Sequence, residues 1–460
     1  MDSNDKQKVF DKVIARETEE LMGLSFDCVC GQTHSVPIKY LSIKKGAVGE
    51  IKERLKKLQV SGKGAVVYDK KIETTVVQGV LASLKRSGLV LEPFAVGDGY
   101  EVLPAEIELS RRVADMVGPG FDFLVSVGSG VVSDLVKYAS SLLEKPYVLV
   151  ATAPSMNGYT SSMAALTDRG IKKTLMVPPA RAIFADLATL MAAPVEMVRS
   201  GLGDIVSKSI CNADWKLSEL VKKTYFCPLP FRITDKSEPL YLGAAEEIGN
   251  RTERGIRILT DGVMRSGLSM TVIGTSTPSS GAEHFLSHYW DLTALIEHKV
   301  KHFHGVQVGV ATILVLKLYE FVRNYPVHKT FNLDKLKEKY PSEVEARASI
   351  DRKFGRYGKG VSEEYFKKHL NWKEKRQELE GILDRWDSIW NELARYVRPV
   401  RPVEEALLKS GAAVTYAHLG KSREEVADSL LNAPLIRSRY SILDLANDLG
   451  IMETAIEKVL

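Results

Sequence analysis

Between Gly64 and Ser155 the chain alternates short, nearly all-apolar runs with amphipathic segments, and this alternation constrains the fold more than any other feature. GAVVYD (Gly64 to Asp69) is apolar without period-two polarity, as expected of a strand buried on both faces of a parallel sheet. Residues 71–87 follow with Val76, Val77, Val80, Leu81 and Leu84 at helical spacing. LVLEPFAV then predicts a strand, ELSRRVADMV a helix, FDFLVSVGSG a strand ending in glycines, VVSDLVKYASSLL a helix and YVLVATAPS a last strand. Strand and helix in strict alternation imply right-handed crossovers and an open α/β sheet of the dinucleotide-binding kind. From Ala164 to Asp186 a hairpin turning at Asp168-Arg169-Gly170 is expected, then one more strand, with Pro178 and Pro179 excluding a helix.

Strand signals stop near Leu187, and helical periodicity takes over. Helices are expected over 240–275, 281–301, 304–324, 362–398, 402–409 and 422–458. The charged stretch 325–375 reads as a peripheral helical insertion, and the basic run from Lys367 to Arg376 as a solvated helix face. A chain of 460 residues exceeds one core, so two domains are predicted, an α/β domain over 1–190 and an all-helical one over 191–460. The net charge of +5 is small for this length and dispersed, so nucleic acid is not an expected partner. The polar first helix lacks a signal-peptide core, and no apolar run was counted as long enough to span a bilayer, so a cytoplasmic protein is expected.

Ligands of open α/β sheets lie beyond the carboxyl ends of the strands, which singles out three places. Gly128-Ser129-Gly130 lets backbone approach a pyrophosphate at a helix N-terminus, although the same glycines also suit a plain tight turn. Thr152-Ala153-Pro154-Ser155 offers hydroxyls where a ribose or nicotinamide would lie. Asp69, an acid at a strand end, suits ribose hydroxyls and disfavours a 2′-phosphate, favouring NAD; it suits a helix cap equally well.

The helical half carries the histidines. Five of the chain's nine, His284, His288, His298, His302 and His304, fall within SSGAEHFLSHYWDLTALIEHKVKHFHG. Neutral imidazole is the commonest transition-metal ligand, and His284 and His288 share a helix face by spacing. His298 and His302 fit solvent-facing or packed roles better than ligation. Asp204, after the glycines of SGLGD, opens as a helix cap or as a carboxylate completing a two-histidine site. CVCGQTH brings Cys28, Cys30 and His34 into metal-like proximity, but a structural turn or small hairpin explains it more simply.

VGSGVVSDLVKYAS, ATAPSMNGYTSS, ARAIFADLATL, GLGDIVSKSICNADWKLSE, SSGAEHFLSHYWDL and HGVQVGVATI resemble successive motifs of the sn-glycerol-1-phosphate dehydrogenase family, with CVCGQTHSVPI and IRSRYSILDLANDLGI resembling the two ends of its bacterial arabinose-operon branch. The resemblance runs over residues 20–325 and the C-terminal segment, leaving the charged stretch uncovered. It implies a Rossmann-like N-terminal domain, a helical C-terminal domain and an active site in the cleft between them, as in glycerol dehydrogenase and dehydroquinate synthase. It further implies one divalent ion (zinc, nickel or iron) on Asp204, His284 and His304. NAD would be held by Asp69, Gly128, Ser129, Gly130, Val131, Val132, Thr152, Ala153, Pro154, Ser155 and Ser161. His288 and Asn157 would face a small phosphorylated polyol or ketone, with Asp204 and His288 counted with the catalytic groups. The implied reaction interconverts dihydroxyacetone phosphate and sn-glycerol 1-phosphate in a homodimer or larger oligomer, with no membrane partner. Asn157 departs from the family's Asp, which leaves open another ketone phosphate, a synthase-like lyase, or an impaired homologue. Lys208, Lys299 and Lys301 lie near these motifs and are worth mutating as candidates for a phosphate.

Overall fold

A computed structural model describes residues 3–86, 88–99, 103–168 and 171–460. Ten strands are formed among them: β1 (Ser25–Asp27), β2 (Thr33–Ser35), β3 (Tyr40–Lys44), β4 (Lys63–Asp69), β5 (Val90–Val96), β6 (Phe123–Gly128), β7 (Tyr147–Ala151), β8 (Met163–Asp168), β9 (Ile171–Met176) and β10 (Ala182–Asp186). Six build one wholly parallel sheet in the order β3-β10-β7-β6-β4-β5. The interior strands β6, β7 and β10 are buried at every residue, which is why their sequences lack alternation. The sheet's apolar face packs Val66, Val125, Val127 and Val150 against Ile51, Leu55, Val80 and Leu84 of the covering helices. Pro93 is tolerated because β5 is an edge strand, where a missing N–H costs no ladder bond. Strand β3, YLSIK, was not anticipated; five residues with a serine in the middle carry too little pattern, and its pairing with β10 is what makes it a strand.

The expected hairpin is β8 with β9, in the register Asp168↔Ile171. Of its predicted turn, Arg169 and Gly170 lie outside the described residues, as does Ser87 at the end of the helix expected over 71–87. CVCGQTH also forms a small hairpin, β1 against β2, whose turn uses the left-handed Gly31 (φ 88°).

The chain divides into two compact units, Met1–Ile205 with Cys227–Ser276 and Lys409–Ala412, and Val206–Phe226 with Thr277–Leu408 and Ala413–Leu460. The division expected at residue 190 therefore differs for 191–205 and 227–276, which are helical yet belong to the sheet-bearing unit. The reason is close packing of the helix Glu253–Ile273. Thr160 Oγ1 donates to the Met264 carbonyl (2.7 Å), Thr271 Oγ1 donates to the Thr160 carbonyl (2.7 Å), and a Cβ on Gly267 would lie 2.2 Å from the Asn157 carbonyl oxygen.

The second unit is helical. Its long predicted elements break at caps: 362–398 becomes Gly358–Tyr365, Trp372–Asp384 and Trp386–Leu393, with Asn371 forming a capping box with Glu374. The basic run there is a solvated face only in part: Lys367, Lys373 and Arg376 are exposed, but two of its lysines are not. Lys368 and Lys375 are buried against Asp444 and against Glu378 and Asp448 (2.5–2.8 Å), so the charged stretch is packed on the helix Ile442–Asp448. Contrary to the sequence estimate, one helix, His304–Asn324, is long and apolar enough to cross a membrane by length and composition; most of it is buried within the unit, and its apolar surface is core.

Candidate functional site

The strand order reverses between β4 and β6. The first crossover from β4 leads outward to β5, and the later strands β6, β7 and β10 fill in on the other side. This switch point opens a crevice at the carboxyl ends of β4 and β6, where open α/β sheets take their ligands. Tyr68 pairs with Val127 and Gly128 with Ala151, so Asp69, the Gly128-Ser129-Gly130 turn and Thr152 stand level on neighbouring strand ends. Gly128 and Gly130 are required by packing as well: a Cβ would lie 2.5 Å from the Val132 side chain and 2.7 Å from Met156 respectively. Ser129 caps the helix Gly130–Leu142 in extended conformation, with Val131 and Val132 in its first turn. The Thr152 N–H donates to the Gly128 carbonyl (3.1 Å), the Ala153 carbonyl accepts from Tyr159 (2.5 Å), and the Ser155 hydroxyl lies 3.2 Å from the Tyr159 hydroxyl.

Two of the expected cofactor residues also bond to their own loops. Asp69 accepts from the Lys71 N–H (2.8 Å) as a turn cap, and burial raises its carboxyl above the usual range against the pull of Lys71. Ser161 is buried with its hydroxyl accepting from the Met163 N–H (3.1 Å). Sequence reasoning also overlooked Lys137. Fully buried, it donates to Asp134 (3.2 Å) and to the Gly158 and Met163 carbonyls (both 2.8 Å), fastening the loop that carries Asn157 to the Gly130–Leu142 helix. Burial lowers its basicity while Asp134 supports it. Its only signal in the sequence is an Asp-x-x-Lys pair in an otherwise apolar helix.

Asp204 and Asn157 meet in this same unit. The helix Val195–Ile205 lies against the Thr152–Ser155 loop so tightly that a Cβ on Gly201 would fall 1.8 Å from the Pro154 carbonyl oxygen. One turn further on, the buried Asp204 carboxylate accepts the Asn157 backbone N–H (2.8 Å), with the Asn157 amide nitrogen 3.5 Å from its other oxygen.

The helical unit gathers His284, His288 and His304. The first two lie one turn apart on the helix Ala282–Ile296, and His304 opens the helix His304–Asn324. Ring centroids are 5.1 Å apart for His284 and His304, 6.0 Å for His284 and His288, and 5.5 Å for His288 stacked on His304. Glu283, wholly buried, receives His284 Nδ1 (2.6 Å), Cys211 Sγ (2.9 Å) and the Gly281 N–H (3.0 Å) on one oxygen. Burial would raise this carboxyl, but His284 and the other donors outweigh it and hold it below its ordinary value. A carboxylate on Nδ1 fixes the His284 tautomer with the Nε2 lone pair outward, the usual support for a metal-ligating imidazole. Behind it, Asp214 accepts from Ala282 N–H, Ile442 N–H and Tyr319 Oη, and burial with the nearby Glu283 pushes it up to about 7.

His288 Nδ1 receives the guanidinium of Arg437, which can only donate; His288 therefore carries its hydrogen on Nε2. Arg437 and Arg439 are both half-buried in the C-terminal IRSRYS motif, and Arg439 donates to Ser280 (2.9 Å). Burial, then the neighbouring Arg439, brings Arg437 down to about 10. Sequence reasoning did not single out this pair as candidate anion ligands. Of the three lysines proposed for that task, Lys208 is buried with no hydrogen-bond partner for its ammonium among the described residues. Lys299 is exposed and paired with Glu297 and Glu425, and Lys301 is exposed. Of the other two histidines, His302 is exposed and bonds the Leu419 carbonyl (3.0 Å), and His298 is exposed.

Residues 42–194 match the family model for iron-containing alcohol dehydrogenase. A glycerol-1-phosphate dehydrogenase of Geobacillus stearothermophilus is 31% identical over 310 residues, covering 66% of this chain and 76% of the relative. The corresponding protein of Halalkalibacterium halodurans is 34% identical over 299 residues, covering 64% and 74%. The chain belongs to the glycerol-1-phosphate dehydrogenase family. Among solved structures, glycerol dehydrogenase from Schizosaccharomyces pombe has the same fold, with a TM-score of 0.59 at 15% identity over 91% of this chain and 90% of that one. The α/β plus all-helical fold class expected from the sequence is the fold of this family. The Asn157 side chain sets an amide beside Asp204, where the resemblance implies a second carboxylate.

Proposed function

We propose that this chain is a metal-dependent, NAD(H)-linked dehydrogenase that interconverts dihydroxyacetone phosphate and sn-glycerol 1-phosphate, with the ion on Asp204, His284 and His304. The observation that carries this reading is the paired imidazoles of His284 and His304, 5.1 Å apart, with His284 backed by a buried carboxylate. One carboxylate and two imidazoles fit zinc, nickel or iron and leave positions open. When bound, the ion supplies Lewis-acid polarisation of the ketone oxygen, and NADH supplies the hydride.

The residues of the chain do the rest. Asp69, the Gly128 to Val132 turn and Thr152 to Ser155, level on neighbouring strand ends, would hold the dinucleotide, the N-terminus of the Gly130–Leu142 helix offering N–H groups to its phosphates. Asn157 presents an amide that donates and accepts without charge, so it orients a substrate hydroxyl but takes no proton. His288, with hydrogen on Nε2, donates to a substrate oxygen, and Arg437 behind it supplies positive charge for a phosphate. A separate water then completes the proton relay, because a second proton on His288 Nδ1 would have to displace Arg437.

The test is NADH oxidation with dihydroxyacetone phosphate and added divalent metal, with unphosphorylated dihydroxyacetone and other ketone phosphates in parallel. Turnover selective for dihydroxyacetone phosphate and abolished in His284→Ala supports the assignment. Absence of turnover in the natural chain beside robust turnover in Asn157→Asp would sink it.

A further inference from the structure

The geometry points to a second metal site in the sheet-bearing unit: a structural zinc ion held by Cys28, Cys30, His34 and Cys227. Their four ligand atoms lie within 4.8 Å of one another. Cys28 Sγ is 3.8 Å from Cys227 Sγ, and His34 Nε2 is 3.3 Å from Cys30 Sγ and 3.5 Å from Cys227 Sγ. Tetrahedral zinc with Zn–S of about 2.3 Å and Zn–N of about 2.05 Å separates two sulfurs by about 3.8 Å and a sulfur and a nitrogen by about 3.6 Å. The observed spacings fall on or just inside those values. A disulfide would need the sulfurs at about 2.05 Å. Hydrogen bonding alone does not favour gathering three thiols and an imidazole in one spot, because thiols are weak donors and weak acceptors.

The local chain is built for a ligand. Cys28, His34 and Cys227 are buried, with Cys30 at the half-open side. The turn between β1 and β2 folds back with Cys28 N–H on the Gln32 carbonyl (2.9 Å) and Gly31 N–H on the Cys28 carbonyl (3.0 Å), which brings Cys30 and His34 onto the same side as Cys28. Cys227 comes from 199 residues away in sequence, at the point where the chain returns to this unit and begins the helix Leu229–Asp235. The ion thus clamps the N-terminal hairpin to the returning segment. Three thiolates with one imidazole select zinc over harder cations, and four protein ligands close the coordination shell, so this site has no catalytic position.

The test uses the full chain purified without reductant or chelator. Metal content is measured by mass spectrometry in the natural chain, in His304→Ala to remove a ligand of the proposed catalytic ion, and in Cys30→Ser and Cys227→Ser. We expect about one zinc per chain to persist in His304→Ala and to be lost in both cysteine variants, with release on adding a mercurial that blocks thiols. Cobalt replacement in the natural chain should give the intense thiolate-to-cobalt charge-transfer band of a tetrahedral site, and this reading stands even where Cys227→Ser does not fold. A Cys28–Cys227 disulfide, native alkylation of these thiols with no metal released, or a cobalt spectrum unchanged in a folded Cys30→Ser would each overturn the assignment. None of these outcomes depends on whether the chain turns over dihydroxyacetone phosphate.

Discussion

Replacing Asn157 by Asp sets a carboxylate about where the amide nitrogen now stands, 3.5 Å from an Asp204 oxygen. At an effective dielectric of about 20, two unit charges at that separation repel by roughly 5 kcal/mol. The pair avoids part of this by taking up a proton. Holding a carboxyl of ordinary pKa near 4 protonated at pH 7 costs about 4 kcal/mol, at roughly 1.4 per unit, which caps the penalty. Asn157 is only half-buried and its side chain can swing outward, so about 2 kcal/mol is the expected net loss. In a unit of some 250 residues that is roughly 4–8 °C in Tm. The shared proton sets the sign with pH: the raised folded-state pKa leaves the variant close to the natural chain at low pH and weakens it as pH climbs towards 8. A divalent ion reverses the penalty, since two adjacent carboxylates draw the cation more strongly than one. Thermal denaturation of Asn157→Asp and Asn157→Ala, with chelator and with added metal from pH 5 to 8, separates these contributions. The reasoning fails if the Asp variant matches the Ala variant at pH 8 in chelator, or if metal raises both melting temperatures equally.

Three further outcomes are expected. Gly201→Ala should destabilise by about 1–3 kcal/mol and weaken NADH binding measured by fluorescence, because its Cβ would meet the Pro154 carbonyl oxygen at 1.8 Å and push the Thr152–Ser155 loop away. Gly381→Ala, inside the helix Trp372–Asp384 with nothing within 4 Å of the new methyl, should gain up to about 1 kcal/mol in the same melt; equal signs for the two would refute the packing argument. Arg437→Met should raise KM for dihydroxyacetone phosphate at least tenfold while changing kcat/KM for dihydroxyacetone little, the loss of one charge-assisted contact; equal losses on both would remove Arg437 from phosphate binding. Asp214 has its folded-state pKa raised to about 7, so it favours folding below its unfolded value near 3.8, and that contribution is lost as pH rises through 7. The natural chain should therefore lose stability relative to Asp214→Asn by a few kcal/mol between about pH 5 and 8 in urea melts, and parallel curves would refute the assignment.

What the sequence disclosed follows from how local each signal is. Buried parallel strands announce themselves by continuous apolar runs, so β4, β6, β7 and β10 were legible, while β3 owes its existence to a partner more than a hundred residues away. The histidine group was legible because a helix repeats every 3.6 residues and places His284 and His288 together whatever surrounds them. What distinguishes three of these histidines is the partner each finds, most of them distant in sequence: Glu283 with Cys211 behind it for His284, Arg437 for His288, the Leu419 carbonyl for His302. The acid next to His284 was readable as a neighbour but not as its hydrogen-bond acceptor. Cys28, Cys30 and His34 looked incomplete because their fourth companion, Cys227, is distant in sequence and isolated there, so no spacing rule reaches it.

Charge was the least legible property, for a physical reason. Lys137, Lys368 and Lys375 look alike in sequence to dozens of solvated lysines, yet each is buried with two or more oxygens at bonding distance. Burial of an ammonium is tolerated only where fixed acceptors replace its water, and those acceptors are carbonyls and carboxylates contributed by other elements. For Lys137 they are Asp134 and the carbonyls of Gly158, beside Asn157, and Met163, where β8 begins, so the lysine sets where the loop between them lies. Removing it would leave those carbonyls and Asp134 buried without their donor, a larger cost than the pair's own attraction. Asn157 therefore sits on a loop whose position is fixed from beneath by a buried cation. A change at residue 157 should accordingly alter charge and hydrogen bonding at the site while leaving the backbone where it is.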